Sequence, residues 1–442
     1  MKFYSTNNVN HKVDLKQAVT KGLAPDNGLY MPEQIPVLPN EFFDNLDKKS
    51  FREIGFEIAY NFLGDDIPKD EIKRIIDHTI QFDAPVINIK ENIFALELFH
   101  GPTLAFKDFG ARFMSQLLGY FAKQQQEEII ILVATSGDTG SAVANGFLGV
   151  PGTRVVVLYP SGKVSEIQEK QFTTLGQNVT ALEVDGTFDD CQRLVKQAFL
   201  DSDLKQKYFL TSANSINIAR LIPQSFYYFY AYAQLKHKNA PIIFSVPSGN
   251  FGNLTGGLLA KRMGLPVYKF IASTNSNDAV PQYLVSKSFI PKPSQQTISN
   301  AMDVGNPSNF ARMLDLFDHD YDRLAKEIVG YAFSDDETRS AMIEVFTRNQ
   351  YVMDPHGAIA YLGLKKFLQE NKTNAIGVFA ETAHPAKFKE VVEDTLNTSL
   401  KIPATLEKFL HHEKKSIALK NSFESLKDFL VENFDARKQN QL

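Results

Sequence analysis

The sequence predicts an α/β protein with open, mostly parallel sheets, and three observations carry the prediction. From residue 86 onward short apolar runs alternate with helix-length segments, as in sheets whose parallel strands are joined by helices. Two of these strand-to-helix joints, residues 135–141 and 248–253, are rich in glycine and hydroxyl or amide side chains. The length of 442 residues, with ordinary apolar and charged fractions, suits two or three domains with a substantial core.

Residues 1–85 read as a separate, mainly helical part. Residues 14–21 are a short amphipathic helix, 24–28 a turn, and Pro32, Pro36 and Pro39 keep the next stretch extended. Phe51, Ile54, Ile58 and Phe62 recur at helical spacing and stop at Gly64; Ile72, Ile75, Ile76 and Ile80 mark a second helix. No chemistry is visible here, and the expected role is packing and capping. Strands follow at 86–89, 93–98, 128–134, 154–159, 179–184, 242–246 and 375–380, with helices between them. Ser334 to Glu337 opens one helix as a capping box, Pro355 opens another, and 403–434 reads as C-terminal helices. The aromatic run 226–232 is expected to be a buried helix.

The segment 99–114 stands out, because Gly101-Pro102 sets a turn and Lys107 then enters a helix marked by Phe109, Phe113, Leu117 and Phe121. A cation in a first helical turn is disfavoured by the helix dipole, which brings the neutral, nucleophilic amine within easier reach. Read alone, Lys107 is either such a nucleophile or a surface lysine after a turn. Each glycine-rich loop is likewise either a tight turn or an anion site, since such loops converge backbone N–H groups at a helix N-terminus. Neither loop matches a nucleotide fingerprint. Together with Lys107 they point to a phosphate-bearing cofactor held through a lysine, with pyridoxal 5'-phosphate the leading candidate.

A net charge of -4 offers no general attraction to nucleic acid or an anionic membrane. The uncharged stretch 240–260 contains Pro247, Asn250, Asn253 and several glycines, so its backbone would go unsatisfied in lipid. One cysteine, Cys191, and an N-terminus without the apolar core of a signal peptide lead to the expectation of a cytoplasmic protein. Nine scattered histidines lead to no expected metal site. His411 and His412 lie in a charged helix; His100 and His384 flank candidate site segments.

In combination these segments resemble the threonine synthase family, pyridoxal-phosphate enzymes of the tryptophan-synthase β-like fold, fold type II. The resemblance rests on residues 21–25, 101–113, 135–141, 161–163, 214–217, 245–253, 300–304 and 381–385, so it runs nearly end to end. One departure is Asp26-Asn27, where related chains often carry glycine. The resemblance implies an N-terminal domain at 1–85, a large cofactor-binding domain at 86–125 and 215–442, and a small domain at 126–214 that closes over the substrate. It implies Lys107 as the Schiff-base and proton-shuttling lysine, and Gly249, Asn250, Phe251, Gly252 and Asn253 as the phosphate cradle. Thr382 would face the pyridine nitrogen and Asp138 the phenolic oxygen, while Ser136, Thr139, Lys163, Asn214 and Arg220 would meet the substrate's carboxylate and phosphate. Arg220 is equally readable as a structural ion pair. The implied reaction converts O-phospho-L-homoserine and water to L-threonine and phosphate, in a monomer or weak homodimer. The alternatives are a phospholyase-type or dehydratase paralogue giving 2-oxobutyrate, or a non-catalytic cofactor-binding paralogue.

Overall fold

Every apolar run expected as a strand from residue 86 onward forms one in the computed structural model, which describes residues 1–125 and 128–434. Three sheets result. The six-stranded sheet runs, in spatial order, Ile328–Ala332, Val267–Thr274, Ile242–Pro247, Ile376–Glu381, Ile93–Glu97 and Val86–Lys90. All neighbours are parallel except the last pair, so the sheet is mostly parallel as predicted. Burial on both faces explains why its central strands are continuous apolar runs without alternation: Ile242–Pro247 and Ile376–Glu381 are buried throughout.

The five-stranded sheet runs Ile417–Leu419, Val179–Val184, Thr153–Pro160, Ile129–Ala134 and Phe209–Ser212, all parallel. Its edge strand comes from the far end of the chain. The resemblance groups all of 215–442 with the large domain; Ile417–Leu419 instead hydrogen-bonds beside Val179–Val184, and the helix Phe423–Phe434 packs its Leu426 and Leu430 into the same cluster as Leu182 and Leu194.

Residues 1–85 are mainly helical, as predicted, and carry in addition a three-stranded antiparallel sheet of Lys2–Ser5, Asn8–Asp14 and Tyr30–Pro32. The helices Phe51–Leu63 and Lys69–Thr79 bury the predicted stripes, the first opened by a capping box between Ser50 and Glu53. Phe51 and Phe82 flank Phe109 at 5.6 and 4.7 Å, which docks this part onto the helix Lys107–Gln125. In that helix Phe109, Phe113 and Leu117 are fully buried and Phe121 nearly so; each such side chain contributes roughly 1.5–3 kcal/mol. The aromatic run forms the buried helix Phe226–Leu235. Among the described residues no helix is long and apolar enough to cross a membrane.

Candidate active site

The register of both large sheets brings the singled-out loops together. Ser245 lies beside Phe379 in neighbouring parallel strands, so the loops 248–253 and 382–385 leave the six-stranded sheet at the same edge. The loops after Ala134 and Pro160 leave the five-stranded sheet at its C-terminal edge. In open α/β sheets this edge is where ligands bind. The loops enclose a cavity of about 770 Å³.

Lys107 is the first residue of its helix and stands in the cavity wall. The turn before it puts Leu104 in the left-handed region, with φ of +55°. Around that turn the Phe106 N–H donates to the Thr382 carbonyl at 2.9 Å and the His384 N–H to the Leu104 carbonyl at 3.0 Å. Lysine and threonine are thereby fixed to one another through backbone. The neighbouring Asp108 serves the turn: its carboxylate accepts from the Thr103 N–H at 2.8 Å and the Thr103 hydroxyl at 2.6 Å.

Electrostatics at Lys107 follow from burial. Desolvation lowers the amine to about 8; Asp138 opposes this, while Lys387 and Arg220 add to it. Asp138, first residue of the helix Asp138–Phe147, lies 3.9 Å from Lys107 Nζ. Its other oxygen accepts from Lys387 Nζ and Gln168 Nε2, each at 2.8 Å. Burial alone would push Asp138 up, but the two lysines and these hydrogen bonds outweigh it and hold the carboxylate well below its usual range. Lys387 is fully buried and also donates to the Thr103 carbonyl at 2.8 Å.

The loop 248–253 is built for close backbone approach. A Cβ on Gly249 would stand 2.6 Å from Met302 Cα, so only glycine fits between this loop and the segment 300–304. Phe251 adopts a left-handed φ of +59° where the helix Gly252–Arg262 begins, a strain that such sites concentrate. Asn250 is fixed by Ser215 and Ser308, donating to the first at 2.6 Å and accepting from the N–H of the second at 2.6 Å. The carbonyl oxygen of the Asn253 side chain accepts from Tyr227 and Tyr228 at 2.7 and 2.8 Å. That leaves Asn253 Nδ2 buried with no partner among the described residues, as is Arg220 Nε. A helix N-terminus, a Cβ-free cradle and unpartnered buried donors in one cavity fit the phosphate of pyridoxal phosphate, and the depressed lysine fits its aldehyde.

Ser136, Thr139, Lys163, Asn214, Arg220, Asp138, Thr382 and the residues 249–253 all line the one cavity with Lys107. Lys163 is exposed at its mouth, whereas Arg220 is buried, lowered to about 10 by desolvation, and donates to the Ala213 carbonyl at 2.6 Å. His100 pairs with Glu97 on the surface, and His384 caps Ala386; neither is in the lining. Sequence reasoning missed Lys387, Gln168 and His356. Nothing near Lys387 in the sequence sets it apart, since Lys389 and Glu390 follow it closely.

Known proteins resemble this chain along nearly its whole length. Family models for the threonine synthase N terminus, for pyridoxal-phosphate dependent enzymes, and for the threonine synthase C-terminal part match residues 2–80, 79–378 and 357–430. The chain is 46% identical to the threonine synthase of Serratia marcescens over 432 residues, 98% of this chain and 99% of that one. The crystal structure of threonine synthase from Escherichia coli superimposes with a TM-score of 0.91 at 44% identity, covering 98% of this chain and all (100%) of that one. Pyridoxal-phosphate-bound threonine synthase from Brucella melitensis gives a TM-score of 0.91 at 33% identity, covering 98% and 99%.

Proposed function

The chain belongs to the threonine synthase family of pyridoxal-phosphate-dependent enzymes, and from that premise we propose how its own residues carry the reaction. That reaction turns O-phospho-L-homoserine and water into L-threonine and phosphate, by elimination at Cγ and hydration at Cβ. The observation that carries it in this chain is a single amine, Lys107 Nζ, lowered to about 8 in a cavity between two anion-binding loops. When bound, pyridoxal phosphate supplies electron withdrawal that makes protons at Cα and Cβ removable.

Lys107 holds the cofactor and, once the substrate's amine has taken its place, moves the proton at Cα. A lysine near 8 accepts and returns a proton at neutral pH far more readily than one at its ordinary value. The backbone of Gly249, Asn250, Phe251, Gly252 and Asn253 receives the cofactor phosphate. Thr382 would offer its hydroxyl to the pyridine nitrogen, which, unlike a carboxylate, would not hold that nitrogen protonated. Asp138, clamped by Lys387, would face the phenolic oxygen. Ser136, Thr139 and Asn214 receive the substrate's carboxylate, and Lys163 and Arg220 its phosphate.

Water must be kept out until Cβ is ready for it, because early release gives 2-oxobutyrate. Thr382 follows a strand of the six-stranded sheet and Lys107 is held beside it across the Ala105–Ala383 bridge, while Ser136 and Lys163 lie on loops of the five-stranded sheet, so the cavity spans both. This supports closure of 126–214, joined by 417–434, over bound substrate. The working protein is cytoplasmic, a monomer or weak homodimer, and acts on this small molecule without nucleic acid or membrane; one buried, unpaired cysteine, Cys191, suits a reducing compartment. The test is product analysis with pyridoxal phosphate and O-phospho-L-homoserine. Equal amounts of threonine and phosphate are expected; 2-oxobutyrate would move the assignment to a lyase on the same fold.

A further inference from the structure

Behind the cavity lies a group of buried acids that the reaction does not use. Glu381, the last residue of its strand, is fully buried, and neither carboxyl oxygen finds a donor among the described residues. A Cβ on Gly357 would stand 2.1 Å from Glu381 Oε1, so the carboxyl lies against the first turn of the helix Pro355–Glu370. Its facing groups are the Asp354 carboxyl, the Glu97 carboxyl, and the Tyr351 hydroxyl, which donates to Glu97 at 2.8 Å. Burial first, and then Asp354 and Glu97, push Glu381 well above the carboxylate range.

Asp354 is fully buried as well and accepts from His356 Nδ1 at 2.5 Å and from the His356 N–H at 2.8 Å. With Nδ1–H donated to Asp354, Nε2 is left as an acceptor. There the Ala301 N–H donates, at 3.3 Å. Ala301 and Met302 are the wall against which Gly249 packs, with the Ala301 carbonyl 3.0 Å from where a Gly249 Cβ would be. His356 itself is 3% exposed, reaches the cavity, and packs at a tilt against Phe388 with ring centroids 4.7 Å apart.

We propose that Glu381, Asp354 and His356 act in series as a positioning relay that holds the Ala301–Met302 wall, and through it the phosphate loop at Gly249. The relay rests on the cofactor reading of that loop. Its three members are positioning residues; none of them touches reacting atoms.

The test compares His356→Gln with His356→Phe in protein stripped of cofactor and titrated with pyridoxal phosphate. Glutamine keeps an acceptor near the Nε2 position; phenylalanine keeps the ring and its packing on Phe388. Binding within about twofold of wild type is expected for glutamine, and binding about five- to tenfold weaker, with a displaced ³¹P resonance of the bound phosphate, for phenylalanine. A purely packing role predicts the reverse order and would overturn the relay. Nitrogen-15 spectra of wild-type histidines need no variant; His356 is expected as the Nδ1–H tautomer, and an Nε2–H signal would overturn the relay too. Wild type that fails to bind pyridoxal phosphate would sink the cofactor reading itself, a distinct outcome.

Discussion

Lys107 and Lys387 sit on either side of one carboxylate, and their environments set opposite expectations for variants. Capture of pyridoxal phosphate by cofactor-free protein needs the neutral Lys107 amine. Its rate should therefore rise about tenfold per pH unit below 8 and level off above, rather than climbing toward the ordinary lysine value. Lys387→Met removes a cation that lowers Lys107 and should move the profile to higher pH; Asp138→Asn removes the anion that raises it and should move the profile lower. Stopped-flow absorbance across pH checks both, and shifts of one shared sign would contradict the assignment. Lys107→Ala should reduce threonine formation by about 10³-fold or more with the fold intact by circular dichroism. Lys107 was legible in the sequence because a turn, a helix start and an apolar stripe all meet there. Lys387 was not, since nothing local marks it: its isolation comes from Thr103 and Asp138, 284 and 249 positions away in the chain.

Among elements, most long helices and strands were readable because each buries enough apolar surface to impose a period or a continuous run. Val267–Thr274, eight residues long, went unread all the same, as did Ile328–Ala332 and Phe209–Ser212. The other exceptions are short or polar. Lys2–Ser5, Tyr30–Pro32 and Ile417–Leu419 have four, three and three residues, too few for any alternation, and Asn8–Asp14 is mostly polar. Tertiary contacts decide their state. One such contact is Arg312, fully buried, whose guanidinium donates to the carbonyls of Tyr30 at 3.0 Å and Ile216 at 2.7 Å and to Asn309 Oδ1 at 2.9 Å. It ties the N-terminal sheet to the segment that positions Asn250 through Ser215. Arg312→Leu strands these carbonyls without donors and should cost roughly 3 kcal/mol. That would lower the thermal midpoint by several degrees in a scanning calorimeter, and an unchanged midpoint would show that the tie is dispensable.

Across the whole molecule the two large sheets meet at one cavity, and the chain's end returns to the five-stranded sheet as an edge strand. Closure over the substrate should reduce the radius of gyration when a non-reactive phosphonate analogue of the substrate is added to the cofactor-loaded protein. Identical small-angle scattering with and without the analogue would contradict the moving unit. The general parallel architecture was legible from strand and helix alternation, but the assignment of 417–434 was not, because long-range strand pairing leaves no local trace. The central claim is that Lys107, of the two lysines facing Asp138, carries the cofactor. Borohydride reduction of the loaded protein followed by peptide mapping tests it most directly. The account predicts a stable pyridoxyl label on Lys107 alone; a label on Lys387, or on no lysine, would contradict it.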